Sequence, residues 1–255
     1  NYITISTTAN AAYFGGLTAT DAACSSSTRG VFAGLYYITI STAGDAIYFG
    51  NLTVQRYALG SCSSSTRGVF GGGITSTDIL DYITIATAGN ATDFGDLTAK
   101  RYYLAACSSS TRGLFGGGYI AGAPTSSVVY ITIATAGNSN SFGGLTAAIY
   151  KLAACSSSTR GIFGGYTPGT SVLAYVTIAT AGNATDFGDL TVSRDSLAAC
   201  SSSTRGVFGG GSAVASISNV LDYITIATTG NAADFGDLTE ARYSLVACSD
   251  GHGGL

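Results

Sequence analysis

The feature that most constrains the fold of this chain is an internal repeat of about 45 residues. Four short markers recur in a fixed order: Cys-Ser, Arg-Gly-apolar-Phe, Tyr-[Ile/Val]-Thr-Ile and Phe-Gly-x-Leu-Thr. The tyrosines that open the third marker are separated by 35, 45, 48, 45 and 48 residues. Periods of this length are typical of solenoids and propellers, in which each copy buries its apolar face against the next copy.

The spacing inside the repeat confines length variation to one connection. The tyrosine of the third marker lies 12 residues before the phenylalanine of the fourth, and the cysteine lies 8 residues before the phenylalanine of the second wherever both are present. The gap between the second and third markers instead varies from 5 to 15 residues. Since loops tolerate insertions that strands do not, the sequence predicts one loop of variable length on the same side of every unit.

Each unit reads as four short strands. The segment from Tyr82 to Thr87 alternates Tyr, Thr and Ala with Ile, Ile and Thr, and it is rich in the β-branched residues that strands favour. A Gly-Asn pair follows it and predicts a tight turn before the next strand. No segment of useful length shows a helical period. Four strands in a unit of this size are the pattern of a β-propeller blade.

We therefore predict an all-β, six-bladed β-propeller formed by a single domain over residues 1–255. The sixth blade is expected to be closed by both termini, because the chain opens with a third and fourth strand and finishes with a first strand. A β-solenoid or β-prism is the alternative. An opening inside a repeat also indicates an excerpt or a processed product. The predicted blades span residues 22–53, 59–98, 104–146, 152–191, 197–239, and 245–255 together with 1–18.

Charge and apolar content narrow the choice of partners. Charged residues make up 10% of the chain and the net charge is −3, so the sequence lacks the basic footprint of a nucleic-acid-binding protein. No apolar run approaches the roughly 18 residues that a membrane-spanning helix needs. We expect neither a nucleic-acid partner nor a membrane span.

One cysteine occurs at the same place in each repeat, six in all. Equivalent positions in neighbouring repeats lie one repeat width apart, which exceeds the ~4.4–6.8 Å Cα separation of a disulfide. The cysteines are therefore predicted to be small buried apolar residues rather than a disulfide framework.

Two resemblances rest on particular segments. The segment RYYLAACSSSTRGLFGGG, Arg101 to Gly118, resembles a Kelch repeat in its arginine, its small apolar strand, its short turn and its Gly-Gly ending. Phenylalanines such as Phe94 and Phe187 stand where Kelch repeats carry tryptophan. The wording DYITIATAGNATDFGDLT with STRGVFGGG is similar to repeat-rich virion and tail-fibre-like proteins of marine bacteriophages. The first resemblance implies a propeller, and the second implies a component of a virus particle.

The sequence contains no recognisable active site. Ser-His-Asp catalysis needs a histidine within hydrogen-bond reach of the serine, and the single histidine, His252, lies in the most divergent repeat. Zinc sites need clustered cysteine and histidine ligands, which one cysteine per repeat does not supply. We predict a non-enzymatic protein without a cofactor or a metal site.

An arginine follows the serine run in five repeats. A propeller would arrange these arginines as a ring near one mouth of its channel, where they either bind an anion or brace the neighbouring blade. Their sameness in every copy favours bracing, because each blade meets the same neighbour. These arginines are Arg29, Arg67, Arg112, Arg160 and Arg205.

Binding is expected where the copies differ. In a four-stranded blade, the loop between strands two and three and the connection from strand four to the next blade emerge on the same face. That connection is rich in tyrosine and arginine, the residues enriched at binding hot spots. The alternative is that these side chains pack against their own blades. The candidates are Arg56, Tyr57, Arg101, Tyr102, Tyr103, Tyr150, Lys151, Arg194, Arg242 and Tyr243.

The sequence thus favours a structural or adhesive propeller module of a virus particle or tail appendage. We expect it at an extracellular or virion surface, bound to a surface glycan or to another virion protein. The alternative is a free secreted lectin with a sugar site in every blade. A lectin of this kind predicts a repeated pocket, whereas a structural module predicts one broad patch.

Overall fold

The repeated segments form five antiparallel β-sheets in the computed structural model, which describes residues 1–16, 22–74, 77–167, 169–213 and 216–251. Each sheet contains four main strands that lie side by side in their chain order. The sheets are the blades of an all-β propeller, which confirms the architecture predicted from the four strand-like segments of the repeat.

The strands are numbered in chain order. The first blade contains β1 (Ala23–Ser25), β2 (Arg29–Phe32), β3 (Tyr36–Thr39) and β4 (Ile47–Tyr48). The second contains β5 (Gly60–Ser63), β6 (Arg67–Gly71), β7 (Ile79–Thr84) and β8 (Thr92–Asp96). The third contains β9 (Ala105–Ser108), β10 (Arg112–Gly116), the short β11 (Tyr119–Ile120), β12 (Ala123–Thr132) and β13 (Asn140–Ile149).

The last two blades follow the same plan. The fourth contains β14 (Ala153–Ser156), β15 (Arg160–Gly164), β16 (Thr170–Thr177) and β17 (Thr185–Arg194). The fifth contains β18 (Ala198–Ser201), β19 (Arg205–Gly209), β22 (Val220–Thr225) and β23 (Ala233–Asp237). A two-stranded ribbon of β20 (Ser212–Ala213) and β21 (Ser216–Ile217) lies within its variable loop.

The second strand is the central link of every blade because it pairs with both the first and the third strand. In the second blade, Val69 of β6 lies opposite Cys62 of β5 on one side and opposite Tyr82 of β7 on the other. The first strand is innermost, and its Ala-Cys-Ser residues line an axial cavity of about 70 Å³.

Apolar side chains fill the seams between blades. Phe115 of β10 is buried in one cluster with Val69 and Leu80 of the preceding blade. Gly71 makes this approach possible, because a Cβ built there would lie 2.8 Å from the Phe115 ring. The core is therefore shared between neighbouring blades, as expected for a repeat that cannot bury its apolar face alone.

The prediction of six blades is wrong: the chain forms five. The two terminal segments lie between the fifth and the first blade, where Arg205 donates a hydrogen bond to the Ile5 carbonyl and Gly16 donates one to Asp45. Residues 1–16 and 245–251 contain no strand, and the isolated bridge from Tyr2 to Ala12 is the pairing found there. The predicted limits at residues 18 and 255 lie outside the described residues.

The terminal repeat departs from the other five after its cysteine. The segment SSSTR follows the other five repeat cysteines, whereas SDGHG follows Cys248, so the serine run and the arginine are replaced. The second strand joins the first strand to the third in each of the five blades. Its place in the terminal repeat falls on residues outside the described part of the chain, and the described terminal segments alone do not form a sheet.

Candidate functional site

The arginines after the serine runs connect each blade to the next one. Arg112 donates hydrogen bonds from Nη1 to the carbonyls of Ile178 (3.0 Å) and Ala179 (2.7 Å) in the fourth blade. Its guanidinium carbon lies 4.5 Å from the centre of the Tyr130 ring in its own blade. Arg29, Arg67 and Arg160 each donate to two carbonyls in the same way, and Arg205 donates to one.

These contacts describe inter-blade braces rather than a ring of free cations. The described residues that line the axial cavity are Ala, Cys, Ser and one Gly, and the arginines are not among them. Each of the five guanidiniums also lies over the ring of the tyrosine that opens the third marker of its repeat. Each guanidinium donates to a backbone carbonyl of the next blade and packs on an aromatic ring of its own blade, so it is held between the two.

A second set of inter-blade contacts surrounds the axis. The Ser156 hydroxyl donates to the Ser108 carbonyl (2.7 Å) and accepts from the Ser108 amide (3.2 Å). The same reciprocal contact joins Ser108 to Ser63, and Ser201 to Ser156. The first serine of the serine run in the third, fourth and fifth blades therefore belongs to the scaffold, because its hydroxyl bonds to the backbone of the adjacent innermost strand.

Three of the ten candidate binding residues are buried arginines and do not form a binding surface. Arg56 pairs with Asp81 and Arg194 with Asp222, each at 2.6 Å and with fully buried side chains. The guanidiniums also donate to backbone carbonyls that follow the second strand, such as that of Gly72 for Arg56. These arginines therefore stabilise the interior of their blade by joining a buried aspartate to backbone carbonyls near the end of the second strand.

Arg101 occupies the same place in the third blade but has no acidic partner among the described residues. Val129 stands where the second and fifth blades have an aspartate, and Arg101 donates instead to the carbonyl and hydroxyl of Ser127. Its Nε has no hydrogen-bond partner in the described part of the chain. Burial of the charge lowers the pKa of Arg101 to about 10.

Four tyrosines form a cluster on the face of the variable loops. We call Tyr102, Tyr103, Tyr119 and Tyr150 the tyrosine cluster. Tyr102 stacks on Tyr119 with 5.6 Å between ring centres, and Tyr119 meets the edge of Tyr150 at 4.4 Å. Tyr103 lies 5.4 Å from Tyr102 and 6.4 Å from Tyr150. The Lys151 ammonium lies 5.5 Å from the centre of the Tyr103 ring.

The backbone explains why these side chains meet. Tyr102 follows β8 in the connection between blades, and it forms a bridge with Tyr119, which follows β10 in the variable loop. The hydrogen bond between Tyr119 and Tyr150 is the main cause that raises the pKa of Tyr119 above its ordinary value. Sequence reasoning missed Tyr119, because it lies in the loop of variable length; its position three residues after Phe-Gly is the signal that could have identified it.

The remaining candidates lie outside the tyrosine cluster. Tyr57 forms a bridge with Ile74 and is 52% exposed, and Tyr243 is 55% exposed. Arg242 forms an ion pair with Glu240 at 3.2 Å on a partly exposed surface. None of these three belongs to the ring contacts of the tyrosine cluster, so the structure brings four of the ten candidates together: Tyr102, Tyr103, Tyr150 and Lys151.

Residues with a left-handed backbone conformation form hydrogen bonds between successive inter-blade connections. Tyr103 has φ of 55° and Lys151 has φ of 56°, although neither is glycine. The Tyr103 amide donates to the Ala58 carbonyl (2.8 Å), and the Lys151 amide donates to the Tyr103 carbonyl (2.9 Å). A non-glycine residue in this region costs roughly 1–2 kcal/mol, and here the inter-blade hydrogen bond holds it.

A comparison with protein-family models and with curated proteins finds no match for this chain. Within the described ranges, no helix is long and apolar enough to cross a membrane. The described residues also contain no group of three or more His, Cys, Asp or Glu side chains placed to hold a metal ion. His252 lies outside the described residues.

Proposed function

We propose that this chain is a non-enzymatic adhesive module whose tyrosine cluster binds a surface carbohydrate. The observation that carries the proposal is the meeting of four tyrosines and Lys151 at one place on the variable-loop face. Tyrosine combines an apolar ring, which packs against the C–H face of a sugar, with a hydroxyl that bonds to sugar hydroxyls. The lysine ammonium adds three donors.

The presence of the tyrosine cluster at one place on the propeller favours a module with a single binding site. A lectin with an equivalent site in every blade is the less favoured alternative. The bridges at the corresponding places in two other blades join Tyr57 to Ile74 and Asp195 to Ser212. A lectin with repeated sites needs the same side chains in each blade, and these bridges differ in both members. The repeated residues, including the braces and the serines at the axis, are engaged in contacts between blades.

The biological setting is the second part of the proposal. We infer that the module is part of a virus particle or tail appendage and lies at an extracellular or virion surface. This inference rests on the resemblance of the repeat sequences to phage virion proteins. The Kelch-like character of the repeats likewise rests on their resemblance, and both stay predictions. A virion protein is the other partner that this setting offers to the same cluster.

A glycan array on the purified chain tests the proposal. The variant with Tyr102→Ala and Tyr119→Ala removes the stacked pair, and the variant with Tyr57→Ala and Tyr243→Ala removes two exposed tyrosines outside the cluster as a matched control. We expect the wild type and the control to bind one glycan class, and the cluster variant to bind at least ten-fold more weakly.

Two results would contradict the proposal. An equal loss of binding in both variants would show that the cluster is not the site. A folded wild-type chain that binds no glycan would show that the ligand is not a carbohydrate, and a protein of the same particle would then be the partner to test.

A further inference from the structure

Basic residues are concentrated in the part of the chain that forms the tyrosine cluster. Residues 97–185 contain no Asp or Glu, although the whole chain carries 14 acidic residues and a net charge of −3. The same segment holds five of the 11 basic residues, so it is positively charged within an acidic protein. These five are Lys100, Arg101, Arg112, Lys151 and Arg160.

Two of these five charges are already used by the scaffold. Arg112 and Arg160 are braces, since each donates hydrogen bonds to two backbone carbonyls of the next blade. The other three basic residues lie in the two inter-blade connections that also supply three tyrosines of the cluster. Positive charge that the braces do not use is therefore placed beside the tyrosine cluster.

Both lysines of the chain belong to this group. Lys100 is exposed and lies two residues before Tyr102. Lys151 follows Tyr150, and its ammonium lies 5.5 Å from the centre of the Tyr103 ring. None of the ion pairs among the described residues includes either lysine. Both ammonium groups can therefore pair with an anionic ligand.

Hydrogen bonds on both sides hold the backbone of Lys151 in place. Its amide donates to the Tyr103 carbonyl, and its carbonyl accepts from the Ser196 amide (3.0 Å). The matching residues of the other connections have the same left-handed conformation but carry no charge; they are Ala58, Tyr103, Ser196 and Ser244. The lysine is thus particular to this connection, and its fixed backbone lowers the ordering cost of binding.

Arg101 adds a buried positive charge next to Tyr102 in the chain. Its side chain is fully buried, and its Nε has no hydrogen-bond partner among the described residues. With a pKa of about 10, Arg101 is protonated at neutral pH. The matching residue in the next connection is Ile149, so the fold does not need a cation there. A buried charge is screened less by salt than an exposed one, so Arg101 adds to the positive potential of this connection.

The connection that follows has the opposite charge. Asp195 stands at the place of Tyr150, and Ser196 stands at the place of Lys151. The Asp195 carboxylate accepts a hydrogen bond from the Ser196 hydroxyl (2.8 Å). Since like charges repel, an anionic ligand is favoured at the tyrosine cluster and disfavoured at this neighbouring connection.

We propose that the sugar bound by the tyrosine cluster is anionic, with a carboxylate or sulfate group that pairs with Lys151 and Lys100. This inference rests on the proposed binding of a carbohydrate and adds the class of sugar. The tyrosine rings pack against the C–H face of the sugar, and the ammonium groups donate charge-assisted hydrogen bonds to its anionic oxygens.

A glycan array with matched anionic and neutral members tests the proposal on the full chain. Glycans with uronic or sialic acid are printed beside their methyl esters, and sulfated glycans beside their unsulfated parents. We expect about ten-fold stronger binding to the anionic member of a pair, and the set that shows it distinguishes carboxylate from sulfate. Raising NaCl from about 0.1 M to about 1 M shortens the Debye length from ~10 Å to ~3 Å and should weaken binding of the anionic member alone.

Three variants locate the charge that is read. The double variant Lys100→Gln, Lys151→Gln should lose the preference and bind the neutral members as the wild type does. The double variant Lys100→Arg, Lys151→Arg keeps both charges and should keep the preference. Arg242→Gln removes a partly exposed cation outside the cluster and serves as the matched control, which should also keep it.

Equal binding of both members in every pair would overturn this inference and leave carbohydrate binding by the cluster intact. A preference that survives the double change to glutamine in a variant with wild-type Tm would overturn it too, because other cations would then bind the anion. The same conclusion would follow if Arg242→Gln alone removed the preference. A folded wild-type chain that binds no glycan would overturn the proposed function and this inference together, so the two failures are distinguishable.

Discussion

At the scale of single residues, Arg56 and Arg101 show how one opposing side chain decides the state of a buried charge. Both lie at the same place in their repeats and both are almost completely buried. Arg56 meets Asp81, whereas Arg101 faces a blade that has Val129 at that place. The fourth blade solves the same packing problem without charge, since Ile149 takes the place of the arginine. Arg101 is thus an uncompensated cation in an otherwise repeated scaffold.

The substitution Arg101→Ile should stabilise the protein, because it removes a buried charge that has no acidic partner and installs the residue found at the matching place. We expect the free energy of unfolding to rise by about 1–3 kcal/mol, measured by urea denaturation. The control Arg56→Ile leaves Asp81 buried without its partner and should cost about 3–5 kcal/mol. A loss of stability in Arg101→Ile similar to that in the control would show that Arg101 is compensated.

At the scale of strands, the seams depend on glycines that face a cysteine of the preceding blade. Gly113 of β10 is such a residue, since a Cβ on it would lie 2.4 Å from the Cys62 sulfur. Five strands carry this glycine after their arginine, and it lies at the centre of the sheet where neighbouring blades approach closely. The close approach of the blades therefore depends on both residues, because the cysteine side chain occupies the space that a glycine side chain would need.

The substitution Gly113→Ala should lower the free energy of unfolding by about 1–3 kcal/mol, because the added methyl group overpacks the seam. Adding Cys62→Ala should recover part of that loss, since it removes the sulfur with which the methyl group collides. A double-mutant cycle measured by chemical denaturation checks both expectations. Additive effects of the two substitutions would show that the residues do not share one packing site.

At the scale of the whole molecule, the region of the terminal segments between the fifth and first blades should be detectable as a difference between thiols. Cys200 and Cys248 are partly exposed and the other four cysteines are buried. Burial raises the pKa of both thiols to about 12, so the reactive thiolate is scarce at neutral pH and its fraction rises with pH up to that value.

Native labelling with iodoacetamide at pH 8, mapped by mass spectrometry, should therefore modify Cys200 and Cys248 slowly and before the other cysteines. The rate should rise about ten-fold with each pH unit, because that is the growth of the thiolate fraction below the pKa. Denaturant should make all six cysteines react alike. Early labelling of Cys62 or Cys107 in the native chain would contradict the closed seams between complete blades.

The sequence predicts the propeller well because strands, turns and loop lengths depend on local sequence, and the same local pattern occurs in five repeats. The prediction of six blades was wrong because the described terminal segments, residues 1–16 and 245–251, carry repeat motifs but form no strand. The burial of Arg56 and Arg194 was not evident from the sequence either, since it depends on aspartates 25 and 28 residues further along the chain. The co-occurrence of those arginines with Asp81 and Asp222 was the available signal.

The polar side chains that join the blades mostly form hydrogen bonds with backbone atoms of the neighbouring blade. The braces bind carbonyls, the serines at the axis bind amides and carbonyls, and Asn138 and Asn183 accept hydrogen bonds from backbone amides of the preceding blade. A backbone carbonyl can accept the hydrogen bond whatever side chain its residue carries, so each repeat can pack against any other repeat. Recombination could therefore duplicate, delete or shuffle these units while each new neighbour still docks, leaving the loops free to diverge.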